Sequence, residues 1–338
     1  MVPQEKPDMP LHIIADLCTN HDGDTVKAKE LICRAHQSGA DSAKLQIIYP
    51  EGLYIAKIPS ESGLIDNPIL EQRRKSMLPD TVYEQLADYS QTLPLPLSGS
   101  VFDTRGLDIL DELDAPYIKL ASCDLNNLPF VAEAAERGRP LILSTGMAEL
   151  PEMEKTMETA QKAGARDIVL LHCVSIYPAP IEKTNLAMIS ILLREFGVPV
   201  GFSDHTLNSV AAVAAVALGA TWFEKHFTLR TTDAGFDHAH STPPEAFSAY
   251  VRDLRAAAKA CTSQHPKVGE AEMALRTRAR RGLYAARDMA AGEILRKEDV
   301  LIVRPESILR PDDLDRLLGK TLVEAIAAFM PIQKKLIK

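Results

Sequence analysis

Two histidines, His205 and His226, stand at the ends of successive short apolar runs, VPVGFSD (198–204) and TWFEKHFT (221–228). Two lysines, Lys44 and Lys119, sit inside equally apolar runs, SAKLQII (42–48) and YIKLAS (117–122). Two imidazoles with carboxylates nearby and open positions suit Mn²⁺, Fe²⁺, Zn²⁺ or a loosely held Mg²⁺. A hydrogen-bonded pair of histidines is the alternative. A buried ammonium needs an anionic partner. With Ser122, Ser144 and Ser203 as hydroxyl donors, the two lysines suit a ligand carrying both a phosphate and a carboxylate. Each residue also has an ordinary reading by itself. A lone strand lysine is commonly a rim residue, a Ser or Thr at a strand end serves turns, and His172 or Cys173 within LLHCV packs a barrel.

The elements that must position these groups follow from periodicity. Eight apolar runs (12–17, 42–48, 95–102, 117–122, 140–146, 167–174, 198–204 and 221–228) alternate with amphipathic segments such as TVKAKELICRAHQSGA. Eight βα repeats in about 250 residues predict an α/β fold of the (βα)₈ TIM-barrel type, with a last helix over 244–261. An open doubly wound sheet is the competing architecture. In such a barrel, sites gather at the C-terminal strand ends. The polar residues fall there: Asp16; Lys44 and Gln46; Ser100 and Asp103; Lys119, Ser122 and Asp124; Ser144 and Thr145; His172, Ser175 and Tyr177; Ser203, Asp204 and His205; Glu224, Lys225, His226 and Thr228. Buried parallel strands should be near-continuously apolar, so eight strands ending alike point to a site. In ADLCTNHDG (15–23), Asn20, His21 and Gly23 read as the turn shaping the mouth, and an insertion at 49–79 is expected to cover it.

The catalytic barrel is assigned to 1–261. Periodicity is lost over 262–282, which is expected to be a linker, and 283–338 has short strand-like runs between Gly and Pro turns, expected to form a small separate domain. A net charge of −8 argues against a nucleic-acid surface. Five cysteines without CxxC pairing read as reduced thiols. The start, MVPQEKPDMP, has no signal-peptide pattern, and the longest weakly polar run, 210–220, is too short to span a bilayer. A cytoplasmic enzyme without a membrane partner is expected.

The chain resembles the sialic acid synthases, including legionaminic and pseudaminic acid synthases. The resemblance rests on NHDG (20–23), AKLQ (43–46), IKLAS (118–122) with Asn126 and Asn127, LSTGM (143–147) and LLHCVSIYP (170–178). It continues through GFSDHT (201–206), EKHFT (224–228), DHAHS (237–241) and VRP (303–305), spanning nearly the whole chain. It implies a (βα)₈ barrel followed by a small, mostly β antifreeze-like (SAF) domain. The implied reaction condenses phosphoenolpyruvate with the open-chain aldehyde of an N-acetylmannosamine-like amino sugar, releasing phosphate by C–O cleavage. Lys44 and Ser100 match contacts to the phosphoenolpyruvate carboxylate; Lys119, Ser122, Ser144 and Ser203 match contacts to its phosphate, with Ser175 beside them. His205 and His226 match metal ligands for Mn²⁺ or Mg²⁺. Gln46, Asp124, Tyr177 and Asp237 match positions lining the sugar, with Asp16, Asp124 and His226 carrying the catalytic roles. Arg304 matches an arginine reaching into a second subunit's site, which implies a domain-swapped homodimer.

Departures from the family pattern bear on the acceptor. Asp16 and Asp124 stand where Glu is usual, Ser175 replaces Asn, and GSVFD (99–103) replaces STPFD. These changes keep polar type while reshaping the pocket, so a different acceptor sugar is an alternative expectation. Octulosonate- or heptulosonate-type synthases lack the C-terminal module. A pyruvate aldolase would release no phosphate, and a non-catalytic sugar- or ice-binding protein would not need polar residues on all eight strand ends.

Overall fold

The structure, a computed structural model, describes residues 10–61, 63–261 and 268–338. Its strands are β1 (His12–Cys18), β2 (Ser42–Ile47), β3 (Lys57–Ser60), β4 (Gly63–Asp66), β5 (Leu97–Val101), β6 (Ile118–Leu120), β7 (Leu141–Ser144), β8 (Ile168–Cys173), β9 (Val200–Ser203), β10 (Trp222–His226), β11 (Gly282–Ala285) and β12 (Val300–Val303). The longer helices are α1 (Thr25–Gln37), α2 (Pro50–Leu53), α3 (Pro68–Lys75), α4 (Asp80–Gln91), α5 (Thr104–Glu112), α6 (Leu128–Glu136), α7 (Leu150–Lys162), α8 (Ala187–Phe196), α9 (Val210–Ala217), α10 (Pro244–Cys261), α11 (Glu270–Ala279) and α12 (Leu314–Leu317).

Eight strands close into one parallel barrel in the order β1-β10-β9-β8-β7-β6-β5-β2. The closed barrel is the fold expected, and all eight predicted runs supply its staves. The chain divides at residue 264 into two compact units.

Period-two alternation decides what faces inward. On β1, Ile13, Ala15 and Leu17 join the large core under the helices, while Ile14 joins a small cluster with Tyr117, Ile142, Val169 and Leu171. His12 and Asp16 share the phase of Ile14. The same phase sets Ser42, Lys44 and Gln46 against Ala43, Leu45 and Ile47 on β2, and Glu224 and His226 against Phe223 and Phe227 on β10. The helices cover the outer faces through stripes at helical spacing. In α1 the stripe is Ala28, Leu31, Ile32 and Ala35, and the Asp24 carboxylate caps the helix by accepting from the Val26 and Lys27 amides. In α10 it is Phe247, Tyr250, Val251, Leu254 and Ala258.

The insertion at 49–79 carries α2, the exposed β3–β4 hairpin and α3. Its end packs against the turn after β1. Gly23 has φ +78°, and a Cβ there would stand 2.9 Å from the Lys75 carbonyl oxygen. Only a residue without a side chain fits this approach.

The C-terminal unit pairs β11 with β12 antiparallel and adds isolated bridges, Met289–Ile326 and Leu322–Ile337 among them. Leu283, Ala285, Met289, Leu295, Leu322 and Ile332 form part of its own core. Within the stretch expected as a linker the structure has the helix α11, none of whose residues is buried. Glu270 and Glu272 in its first turn and Arg276 and Arg278 in its last oppose the helix dipole, a signal that apolar periodicity does not carry. No helix among the described residues is long and apolar enough to cross a membrane.

Candidate active site

The strand register delivers the polar residues to one place. Asp16 lies beside Lys44 on one side and His226 on the other, Ser100 lies beside Lys119, and Ser203 beside both Cys173 and Glu224. A cavity of about 320 Å³ opens at the C-terminal strand ends. It is lined by Asp16, Lys44, Gln46, Ser100, Lys119, Ser122, Ser144, Ser175, Tyr177, Ser203, His205 and His226, together with Glu224, Phe102, Cys123, Met147 and Cys173.

Four buried charges form its base. Lys44 Nζ donates to Asp16 Oδ2 at 2.6 Å and to Ser100 Oγ at 2.8 Å, and stands 3.6 Å from Glu224 Oε2. Lys119 Nζ is 3.6 Å from Glu224 Oε1 and donates to its neighbour's carbonyl, Leu120 O, at 3.3 Å. Glu224 Oε1 also accepts from Ser203 Oγ at 3.0 Å, while Oε2 is buried without a hydrogen-bond partner. Burial alone would raise the Asp16 carboxyl, but the Lys44 ammonium overrides it and holds Asp16 at about 2. Burial pushes the Lys119 ammonium down, with Glu224 opposing. Lys44 therefore has a close anion, and Lys119 is short of one.

Glu224 was visible among the strand-end polar residues but had no assigned role. Alternation places it inside, between the two lysines. Gly146, within LSTGM, is the other residue that sequence reasoning passed over. Its amide donates to Ser122 Oγ at 3.0 Å, and a Cβ on it would meet Ser175 Oγ at 2.5 Å, Cys173 Sγ at 2.8 Å and Ser122 Oγ at 2.8 Å. The missing side chain leaves a small polar cradle open. Cys173 belongs to this cradle, 3.0 Å from Ser122 Oγ, instead of packing the barrel as expected. His172 does pack outside it, stacked near Phe202 and bonded to Thr184 O at 2.7 Å.

The imidazoles of His205 and His226 lie 5.3 Å apart between ring centres, with the Tyr177 ring 4.2 and 5.6 Å away. His205 Nδ1 meets Val174 O at 2.8 Å. Burial, and then the neighbouring His226, hold its ring at about 3; with Nδ1 donating to Val174 O, Nε2 is left as the acceptor, 3.5 Å from Ser203 Oγ. Nδ1 of His226 is buried without a partner. His205 Nε2 facing an exchangeable hydroxyl and an unpartnered His226 Nδ1 fit a divalent cation. A second grouping shares His226: ligand atoms of Asp16, Cys18 and His226 lie within 4.8 Å of one another. Burial pushes the Cys18 thiol far up, and Cys18 does not line the cavity.

Two expected residues do not line this cavity. Asp124 sits in a 3₁₀ turn, its carboxylate accepting from Asn127 Nδ2 at 3.3 Å, and burial raises its pKa. Asp237 lies in the loop after β10 with Oδ2 buried and unpartnered. Arg304, expected to act in a second subunit's site, is an exposed residue of the C-terminal unit. Lys225 and Asp204, expected at the mouth, are also absent from its lining.

Residues 31–266 match the model of the NeuB family, and residues 280–338 match the SAF domain. The chain is 31% identical to the N,N'-diacetyllegionaminic acid synthase of Legionella pneumophila, over 95% of this chain and 92% of that protein. It is 30% identical to the pseudaminic acid synthase of Helicobacter pylori, over 96% of each. Among solved structures it resembles the N-acetylneuraminic acid (sialic acid) synthetase of Leptospira borgpetersenii in complex with citrate. That match has a TM-score of 0.70 and 29% identity, covering 78% of this chain and 90% of that one.

Proposed function

The chain belongs to the NeuB family and carries an SAF domain, and from that premise we propose that it condenses phosphoenolpyruvate with the open-chain aldehyde of an N-acetylmannosamine-like amino sugar. The products are a nonulosonic acid and inorganic phosphate. The observation that carries this reading is the pair of buried lysines sharing Glu224 beside the Gly146 cradle. One anion would sit on Lys44 and Ser100. A second would sit on Lys119 with Ser122, Ser144, Ser175 and Ser203. Phosphoenolpyruvate carries its carboxylate and its phosphate on one carbon, C2, which suits two cations bridged by one side chain.

The enol C3 attacks the aldehyde carbon, water adds at C2, and phosphate departs with its bridging oxygen when the C2–O bond breaks. Lys119 and the serines stabilise the charge gathering on the phosphate. Lys44, shared between Asp16 and the incoming carboxylate, loosens its hold on Asp16. That carboxylate becomes a stronger base and takes the proton of the attacking water. Gln46, Tyr177, Asp124 and Asp237 would orient the sugar. His205 and His226 would hold Mn²⁺ or Mg²⁺, which when bound supplies a positive charge for the developing alkoxide. Arg304 would complete the acceptor site of a second copy, making the active form a domain-swapped homodimer.

A second reading keeps the chemistry and changes the acceptor. It is favoured by Asp16 and Asp124, each one methylene shorter than the Glu usual in the family, and by the relatives' legionaminic and pseudaminic products. One screen tests both readings: purified protein with phosphoenolpyruvate, Mn²⁺ and a panel of amino sugars, following phosphate release. Release with N-acetylmannosamine supports the first reading and removes the second; release only with another sugar does the reverse. No acceptor-dependent release from any sugar overturns both.

A further inference from the structure

Lys225 lies between Glu224 and His226 on β10 but faces the opposite side of the sheet, toward α10, where alternation calls for an apolar residue. It is 3% exposed. Its ammonium has three N–H groups, and three oxygens surround it. Nζ donates to Asp204 Oδ2 at 3.1 Å, to Thr206 O at 2.7 Å and to Asp204 O at 3.4 Å, above the Tyr250 ring at 5.0 Å. Asp204 Oδ1 in turn accepts from the Thr206 amide at 2.8 Å. The residues gripped are the two flanking His205, and the residue gripping them adjoins His226.

Stability does not account for this arrangement. Replacing a buried ion pair by well-packed apolar side chains is often neutral or stabilising, and this layer is otherwise built from such side chains. A fixed link behind the sheet does account for it. The imidazoles come from separate strands and must meet within about 5 Å, and His205 stands beyond the end of β9, one residue past the last bond to β10, from the Asp204 amide to Glu224 O at 2.8 Å. We infer that Lys225 is a positioning residue whose ion pair with Asp204 and bond to Thr206 O hold His205 in register with His226 for divalent-cation binding. The inference rests on the proposed reading of these histidines as cation ligands.

The test titrates metal-free protein with Mn²⁺ alone, following free Mn²⁺ by electron paramagnetic resonance, for wild type, Lys225→Met and His205→Ala. Partners behind metal ligands contribute about ten- to hundredfold to affinity, and the Lys225→Met dissociation constant should rise by that factor. Phosphoenolpyruvate affinity, measured without metal, should stay within about twofold. Wild-type Mn²⁺ affinity in folded Lys225→Met overturns the inference, as does an equal loss of both affinities, which would mark a merely structural role. If Lys225→Met does not fold, Lys225→Gln, which keeps a donor without the charge, is read by the same criteria. The His205→Ala arm separates the two levels. Loss of Mn²⁺ there with wild-type binding by Lys225→Met sinks only the positioning role. Wild-type binding by His205→Ala sinks the cation reading and the inference with it.

Discussion

At the floor of the barrel, where the strands begin, His12 Nε2 meets Ser42 Oγ at 2.8 Å, and that hydroxyl meets Tyr117 Oη at 3.0 Å. The His12 ring stacks on Trp222 at 4.1 Å, and Ser98 Oγ donates to Tyr117 O at 2.5 Å. At the mouth, two to four residues farther along the same strands, stand Asp16, Lys44, Lys119, Glu224 and His226. There Glu224 Oε2 and His226 Nδ1 are buried without partners. No buried side-chain atom of the floor chain is left so, among the described residues. The strands and their phase are shared, so neither fold nor alternation explains the contrast. Polar groups included only to complete a core close on one another, because an unmet buried donor or acceptor costs free energy. Polar groups kept for a ligand carry charge and hold valence in reserve.

The largest effect that sharpens this contrast is His226→Ala. It should abolish turnover, read as phosphate release, while the circular dichroism spectrum stays native. A variant with wild-type activity and metal content would remove the cation from the mouth. Next comes a matched pair of substitutions. Asp16→Ala strands Lys44 in the interior with only the more distant Glu224 and should cost about 3 kcal/mol of unfolding free energy, since breaking a buried ion pair leaves a charge uncompensated. Tyr117→Phe at the floor removes one neutral hydrogen bond, leaves Ser42 its His12 partner, and should cost about 1 kcal/mol. Urea unfolding measures both, and equal costs would break the distinction between the two ends.

The smallest effect is the floor's share of a pH dependence. Burial is the main cause of the lowered His12 pKa, with the Asp41 charge opposing and the Arg255 charge assisting. The unfolded chain therefore takes up this proton more readily than the folded one. His12 contributes its stability in full above its ordinary value of 6.5 and loses it as pH falls below that. The urea midpoint should drop further between pH 7 and pH 5.5 in wild type than in His12→Gln. A larger drop in the variant would reverse the sign and place the titration elsewhere.

Much of this was legible in the sequence because the physics involved is local. Strand runs, period-two alternation and polar residues at successive strand ends need no knowledge of distant partners, and they located the barrel and its mouth. The helical stripes of α1 and α10 are equally local, set by side chains three and four residues apart. What strand ends alone did not reveal was direction. Glu224 and Lys225 are neighbours of opposite charge, and only sheet closure decided that one would bridge two buried lysines and the other would grip the loop behind His205. Gly146 carries no chemistry in a sequence. Its value comes from three side chains, on Ser122, Cys173 and Ser175, that two other strand ends bring against it. The helix α11 was hidden because it buries nothing and is set by charges at its ends. The sequence by itself determined which residues could do chemistry and at which end of the barrel they would gather, since propensity and alternation act over a few residues. Tertiary structure alone decided their partners, their protonation and the space between them, because those depend on groups that meet only when β1 pairs with β10 and the barrel closes.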